Sequence, residues 1–171
     1  TIKGLKELNT SFKGFLYAGL MIVNNEPYLI EYNVRMGDPE CQTILPKLKT
    51  DFVEILISCV NSELETLKIE WYKENTICIV LCSKGYPDQY KNNSEISNLN
   101  KISLKQNEFI FHAGTKFQES KIFSNGGRVL NFVIRSKNLK QGRNRAIELI
   151  KKLNWSNGYF RKDIGFKVIE E

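Results

Sequence analysis

The residues best suited to chemistry lie in one short stretch, residues 28–42. Within it, Glu31, Asn33 and Arg35 occupy alternate positions. Side chains at alternate positions of a strand point to one face, so a carboxylate, an amide and a guanidinium are predicted to share a surface. Hard oxygen ligands suit Mg²⁺ or Mn²⁺, and a neighbouring guanidinium suits an anionic group such as a transferring phosphoryl. We therefore predict a site for a metal ion and a phosphate here.

An edge strand with one solvated polar face is the alternative interpretation of this pattern. Three alternating polar residues are a weak signal, and on spacing alone the edge strand is favoured. The other face of the predicted strand, however, carries Ile30, Tyr32 and Val34. These side chains indicate a strand buried on both faces, where a charged group needs a partner. From the spacing, both interpretations stay open.

The flanking sequence predicts the elements that position these residues. Residues 14–23 and 26–35 are predicted to be strands, and Asn24-Asn25 between them suits a tight turn because asparagine tolerates a positive φ. This pattern predicts a β-hairpin whose second strand carries the polar residues. A helix is predicted to follow, for which Thr50-Asp51 supplies a cap and an early acidic residue, with apolar residues at helical spacing.

The second half of the chain is predicted to be a small α+β domain with an antiparallel sheet. An apolar strand is predicted over residues 76–83 and a short one over residues 109–111. Residues 121–124 and 128–134 flank Asn-Gly-Gly, which is a strong hairpin signal. Asn138 is predicted to cap a helix.

Composition places the chain among ordinary globular proteins, with 42% hydrophobic and 26% charged residues. No apolar run approaches the roughly 20 residues that span a bilayer, so we expect no membrane segment. The cysteines fit no metal-ligand spacing, and we expect reduced thiols in a cytoplasmic protein. They are Cys41, Cys59, Cys78 and Cys82.

Several motifs resemble one family of enzymes. The run from Glu31 to Glu40, Glu-Tyr-Asn-Val-Arg-Met-Gly-Asp-Pro-Glu, follows Gly-Phe-Leu-Tyr-Ala-Gly-Leu-Met at residues 14–21. Together they look very like the metal-binding hairpin of the phosphoribosylamine–glycine ligases (glycinamide ribonucleotide synthetases), which are ATP-grasp enzymes. Other motifs occur in the order of that family's C-terminal domain: Ser83-Lys-Gly-Tyr-Pro87, Phe111-His-Ala-Gly-Thr115, Gly126-Gly-Arg-Val-Leu130 and Tyr159-Phe-Arg-Lys-Asp-Ile-Gly165.

The resemblance implies an α+β fold in two parts. Residues 1–60 are expected to be the C-terminal end of an ATP-grasp domain, with a β-hairpin and helices. Residues 61–171 are expected to be the small C-terminal domain of the ligase, with an antiparallel sheet and a helix. The family uses ATP to join glycine to 5-phosphoribosylamine through glycyl phosphate in de novo purine biosynthesis. We expect a monomeric fragment of such an enzyme that is inactive alone, because the family's substrate domain and ATP lid would precede Thr1.

The resemblance also implies roles for the three polar residues. Glu31 and Asn33 resemble the ligands of the Mg²⁺ or Mn²⁺ that is bound to the ATP phosphates. Arg35 is expected to be catalytic, neutralising charge on the γ-phosphate and on the acyl phosphate as it forms. Many ATP-grasp enzymes have another acidic metal ligand on the opposing strand, but residues 14–23 contain none.

Five further residues are candidates for substrate binding. Asp38 and Glu40 are expected either to bind substrate amines or to cap the helix that follows. Arg128, after the Gly-Gly pair, is expected either to hold the substrate phosphate or to be solvated beside a plain turn. Likewise, we expect Arg161 and Lys162 either to hold the substrate phosphate or to be solvated.

Three other functions stay open. A biotin-carboxylase-like ligase shares the Glu-x-Asn-x-Arg arrangement, and a non-catalytic interaction module would keep the fold after losing the ATP site. A nucleic-acid binder has only the net charge of +6 in its favour. Because the lysines are dispersed, we expect no nucleic-acid partner. The single histidine, His112, is expected to be structural, since ligation through an acyl phosphate needs no histidine base.

Overall fold

The computed structural model of the protein describes residues 1–169, which divide into two compact units. Unit 1 comprises Thr1–Cys41 and Leu48–Tyr72, and unit 2 comprises Gln42–Lys47 and the chain from Lys73 onward. The structure contains helices and antiparallel sheets, so the predicted α+β class is confirmed. The domain boundary drawn from the sequence stays a prediction. None of the described helices is both long and apolar enough to cross a membrane.

Unit 1 is built around a two-stranded antiparallel hairpin. Its strands are β1, Tyr17–Val23, and β2, Glu26–Asn33. Asn24 and Asn25 between them both have positive φ, which confirms the predicted tight turn. The second strand ends at Asn33, two residues earlier than predicted.

The hairpin is exposed on both faces, so the prediction of a strand buried on both sides is wrong for this chain. The exposed fraction is 64% for Ile30 in β2 and 72% for Val34 just beyond it. The physical reason is that the sheet has only two strands, and such a ribbon cannot bury two apolar faces by itself.

Two helices complete unit 1: α1, Ile2–Glu7, and α3, Phe52–Asn61. A short helix between them, α2, Glu40–Ile44, continues the chain after β2. The predicted start of α3 at Thr50-Asp51 is confirmed, and Asp51 is the capping residue: its carboxylate accepts the N–H groups of Val53 and Glu54 at 2.8 and 3.3 Å.

Unit 2 contains a four-stranded antiparallel sheet and a smaller two-stranded one. The strands are β3, Asn75–Ser83; β4, Glu108–His112; β5, Thr115–Gln118; β6, Lys121–Ser124; β7, Arg128–Ser136; and β8, Gly158–Tyr159. The larger sheet has the order β4-β7-β3-β8, and β5 pairs with β6 in the smaller one. The central strands β3 and β7 consist mainly of β-branched and other apolar residues, which favour a buried sheet.

One helix covers the large sheet of unit 2. This helix, α4, Leu139–Ile150, is capped as predicted by Asn138, whose side-chain oxygen accepts the N–H of Gln141 at 2.9 Å. Its Ala146 and Leu149 belong to the buried core, together with cross-strand neighbours from β3 and β7 such as Ile79 and Phe132. The last described helix is α5, Phe166–Ile169.

The predicted hairpin around Asn125-Gly126-Gly127 is wrong, because β6 and β7 do not pair with each other. The backbone groups of this segment bind elsewhere. Asn125 N–H donates to Gly114 O at 2.8 Å, and the carbonyls of Gly126 and Gly127 accept hydrogen bonds from Ser83. Contacts with segments distant in sequence therefore replace the local pairing that the turn residues suggest.

Candidate functional site

Glu31 and Asn33 form a polar pair at the end of β2. Asn33 Nδ2 donates to Glu31 Oε1 at 2.9 Å, which confirms that the two side chains share one face of the strand. Within residues 1–169, no hydrogen bond uses Glu31 Oε2 or Asn33 Oδ1. The pair therefore keeps one carboxylate oxygen and one amide oxygen available to a ligand.

The opposing strand makes room for this pair and adds no acidic group to it. Gly19 is the cross-strand partner of Glu31, and a Cβ at Gly19 would lie 3.2 Å from Glu31 Cγ. A larger residue would crowd the carboxylate. Tyr17 is the cross-strand partner of Asn33. Strand β1 thus adds no carboxylate ligand on this face.

Arg35 is not brought into contact with the Glu31–Asn33 pair. It lies two residues beyond the end of β2, and its Nη1 donates to the carbonyl of Met36 at 2.9 Å. The predicted alternation does not reach Arg35 because the strand has already ended. Its role at a phosphate stays a prediction.

Glu40, the first residue of α2, extends the site from the other direction. Tyr17 donates its hydroxyl hydrogen to Glu40 Oε1 at 3.2 Å, and both side chains are half-buried. The negative charge of Glu40, with burial and the hydrogen bond, raises the pKa of Tyr17, and Glu31 adds to the effect. Both carboxylates therefore act on one phenol. No role was predicted for Tyr17 from the sequence, although its position two residues before Gly19 places it on the same face of the opposing strand.

Asp38 lies beside the start of α2. Burial raises the pKa of the Cys41 thiol, and the negative charge of Asp38 raises it further. The structure describes no disulfide among the four cysteines within residues 1–169. Whether Asp38 and Glu40 bind a substrate amine stays a prediction.

The oxygen atoms of Glu31 and Asn33 could supply only part of the coordination shell of a hard divalent cation. No group of three or more His, Cys, Asp or Glu side chains in residues 1–169 could hold a metal ion. Glu31 and Asn33 nevertheless supply the oxygen ligands that Mg²⁺ and Mn²⁺ prefer. Mg²⁺ is commonly bound by one or two protein groups together with waters and substrate phosphates, and the pair matches that pattern.

The Gly126-Gly127 segment of unit 2 is shaped by packing. A Cβ at Gly127 would lie 2.0 Å from Cδ2 of the Tyr86 ring, so only glycine fits there. Neither glycine has a positive φ. Arg128 follows as the exposed first residue of β7. The structure thus gives a reason for a glycine at 127 that needs no anion.

The basic pair near the end of the described chain already has protein partners. Arg161 forms a two-pronged ion pair with Asp163, at 3.0 and 2.6 Å, and this contact lowers the pKa of the Asp163 carboxyl. The carbonyl of Lys162 accepts a hydrogen bond from Arg143. Substrate binding by Arg161 and Lys162 stays a prediction. His112 contacts Thr115 at 2.8 Å across the β4–β5 connection, an arrangement suited to a structural residue.

Comparison with protein families gives two consecutive matches. The family model described as "Phosphoribosylglycinamide synthetase, C domain" matches residues 76–167. The model described as "Phosphoribosylglycinamide synthetase, ATP-grasp (A) domain" matches residues 1–41, which contain the Glu31–Asn33 pair.

Curated relatives named phosphoribosylamine–glycine ligase align along almost the whole chain. The protein of Fusobacterium nucleatum is 42% identical over 166 residues, which are 96% of this chain and 39% of that protein. The protein of Brucella melitensis is 38% identical over 99% of this chain and 40% of its own length. The chain therefore spans about two fifths of these relatives.

A solved structure has the same fold. The crystal structure of phosphoribosylamine–glycine ligase from Thermotoga maritima superposes with a TM-score of 0.76 at 31% sequence identity. The superposition covers 94% of this chain and 39% of the Thermotoga chain.

Proposed function

Because the chain belongs to the phosphoribosylglycinamide synthetase family, we propose that it is the C-terminal portion of an ATP-dependent ligase. The reaction joins glycine to 5-phosphoribosylamine through glycyl phosphate in purine biosynthesis. The observation that carries this proposal is the Glu31–Asn33 pair, because it presents two hard oxygen ligands inside the segment that matches the ATP-grasp model.

In this proposal Glu31 and Asn33 hold Mg²⁺ or Mn²⁺, which draws charge from the ATP phosphates when bound. Arg35 supplies positive charge for the γ-phosphate and for the acyl phosphate as it forms. Arg35 needs only to exchange the Met36 carbonyl for a phosphate oxygen, and an ionised acceptor makes the stronger hydrogen bond.

The substrates are assigned to the remaining polar residues. Asp38 and Glu40 bind the amine of glycine, because a positively charged ammonium group pairs with negatively charged carboxylates. Arg128, Arg161 and Lys162 bind the phosphate of 5-phosphoribosylamine, and Arg161 would have to leave Asp163 to do so.

We also propose a domain organisation and a cellular location. Residues 1–60 are assigned to the end of the ATP-grasp domain and residues 61–171 to the C-terminal domain, in a monomeric cytoplasmic enzyme without a nucleic-acid partner.

The test is a steady-state assay of the full-length protein that carries this chain. With ATP and Mg²⁺, formation of ADP should require both glycine and 5-phosphoribosylamine, and chelation of the metal should stop it. Omission of either amine provides the internal control. ATP turnover that depends on neither amine would contradict the ligase. No turnover in a folded protein would also contradict it and would favour a non-catalytic module.

A further inference from the structure

Tyr17 has a contact that the proposed reaction does not yet use. Its hydroxyl donates to Glu40 Oε1 at 3.2 Å, across 23 residues of sequence. Tyr17 is also the first residue of β1 and lies opposite Asn33. One tyrosine is therefore placed beside the metal-ligand pair and holds a carboxylate that comes from a different element.

Gly37 lies against the second oxygen of the Glu40 carboxylate. A Cβ at this buried glycine would lie 2.2 Å from Glu40 Oε2. Its carbonyl accepts the N–H of Cys41 at 2.8 Å, which closes the turn into α2. Gly37 does not have a positive φ, so the turn itself does not demand glycine. The missing side chain instead provides the space that Oε2 occupies.

The hydroxyl of Tyr17 can donate while Glu40 keeps acceptor sites for a ligand. A tyrosine hydroxyl is protonated at neutral pH, so Tyr17 donates to the Glu40 carboxylate. A carboxylate has about four acceptor sites, and one of those on Glu40 is used by Tyr17. Glu40 can therefore be fixed by Tyr17 and still accept hydrogen bonds from a cationic ligand.

We propose that Tyr17 is a positioning residue that orients Glu40 to bind the ammonium group of glycine. This inference rests on the proposed function and adds a residue for which none of the motifs in the sequence gave a role. The cation is a primary ammonium because the proposed function assigns Glu40 to glycine, and within residues 1–169 Glu40 joins no group of three or more His, Cys, Asp or Glu side chains that could hold a metal ion.

The decisive variant is Tyr17→Phe in the full-length protein. It removes one hydrogen bond and keeps the ring, so the KM for glycine should rise about three- to tenfold while kcat stays within about twofold. The KM for 5-phosphoribosylamine should not change. Tyr28→Phe is the matched control, since Tyr28 is an exposed tyrosine of the same hairpin. It should leave all constants unchanged.

Two further variants separate positioning from general damage. Gly37→Ala places a methyl group where Glu40 Oε2 lies and should raise the same KM without changing the hairpin. Glu40→Gln should raise it as well, and adding Tyr17→Phe to Glu40→Gln should have almost no further effect, because residues that act through one group are not additive.

The outcomes distinguish the inference from the function on which it rests. An unsubstituted protein without ligase activity would overturn both. An active protein in which Tyr17→Phe behaves like Tyr28→Phe, or in which its effect adds fully to that of Glu40→Gln, would overturn the inference alone. The inference also fails if Tyr17→Phe changes the Mg²⁺ dependence and not the KM for glycine, since Glu40 would then belong to the metal site.

Discussion

Glu31 is the side chain on which the candidate site depends most. It receives a hydrogen bond from Asn33, faces a glycine across the hairpin, and contributes to the charge around Tyr17. These contacts are compatible with a neutral amide of the same shape. The ionised form is needed only if a cation binds there.

We therefore expect Glu31→Gln to abolish most activity without harming the fold. In the full-length protein kcat should fall by at least about a hundredfold, because a neutral amide replaces a metal-bound carboxylate. Circular dichroism should be unchanged. Glu26→Gln at the other end of β2 is the control and should keep full activity. Turnover within a few-fold of the unsubstituted protein would remove Glu31 from the metal site.

The arginines Arg35 and Arg128 are predicted to act on different steps. An interaction that strengthens in the transition state appears in kcat, whereas one with an unreactive phosphate appears in KM. Arg35→Ala should therefore lower kcat. Arg128→Ala should raise the KM for 5-phosphoribosylamine, by roughly the 1.5–3 kcal/mol of a charge-assisted hydrogen bond.

Steady-state kinetics of the two arginine variants distinguish these roles. An unchanged KM in Arg128→Ala would leave Arg128 as a surface residue of β7. A change confined to a KM in Arg35→Ala would separate that arginine from the transferring phosphoryl.

Strand β4 and helix α4 are joined by an ion pair inside unit 2. Arg145 Nε and Nη2 donate to the two oxygens of Glu108 at 2.8 and 3.1 Å, and the Glu108 side chain is only 2% exposed. Burial by itself raises the pKa of Glu108. Hydrogen bonds from Arg145 and from the N–H of Lys105, with the nearby positive charges, outweigh it and lower the pKa overall.

We expect Glu108→Gln to destabilise the protein by about 2–3 kcal/mol, less than for a fully buried pair because Arg145 is partly exposed. Glu95, whose pair with Lys121 is 2.9 Å long but exposed, is the control, and Glu95→Gln should destabilise the protein much less because solvent screens an exposed pair. Urea unfolding measures both. Equal effects would show that burial of the Glu108 pair is unimportant.

The same ion pair predicts how stability depends on pH. A carboxyl group whose pKa is lowered on folding stabilises the fold above its unfolded pKa, and this contribution is lost as the pH falls through the folded value. Stability should therefore decline below the ordinary value of 4.5, and less steeply in Glu108→Gln. An identical acid profile for the two proteins would contradict this assignment.

The two glycines before β7 provide a matched pair for testing packing. At Gly127 a Cβ would overlap the Tyr86 ring, whereas at Gly126 the nearest atoms would be 3.4 Å away or more. Gly127→Ala should therefore cost about 1–3 kcal/mol of stability, the usual range for overpacking, and Gly126→Ala much less. Thermal unfolding of the two variants tests this. A neutral Gly127→Ala would mean that the Tyr86 ring moves freely.

At the scale of the whole chain, the proposed metal site is incomplete within the described residues. It has the two proposed ligands Glu31 and Asn33 on an exposed hairpin, and no group of three or more His, Cys, Asp or Glu side chains in residues 1–169 could hold a metal ion. Such a site needs phosphates and further protein groups to hold a nucleotide.

We therefore expect the 171-residue chain alone to bind ATP weakly and not to hydrolyse it. Calorimetric titration with ATP and Mg²⁺ should give no low-micromolar affinity, whereas the full-length protein should bind. Tight binding by the 171 residues would show that the nucleotide site has been misplaced.

Features that depend on neighbours in sequence could be predicted from the sequence. Asn24-Asn25 predicted a tight turn, Thr50-Asp51 and Asn138 predicted helix starts, and alternation placed Glu31 beside Asn33. In each case the physical cause acts within a few residues: a positive φ, a side-chain oxygen near free N–H groups, or the period of a strand. The motifs carried the family assignment in the same way.

Features that depend on distant partners were decided only by the tertiary structure. Asn125-Gly126-Gly127 has the composition of a hairpin turn, yet its backbone binds Gly114 and Ser83, so β6 and β7 do not pair. Gly127 is required by a tyrosine 41 positions earlier, and Glu40 is held by a tyrosine 23 positions earlier. No local periodicity encodes such contacts, because they arise only when separate elements pack together.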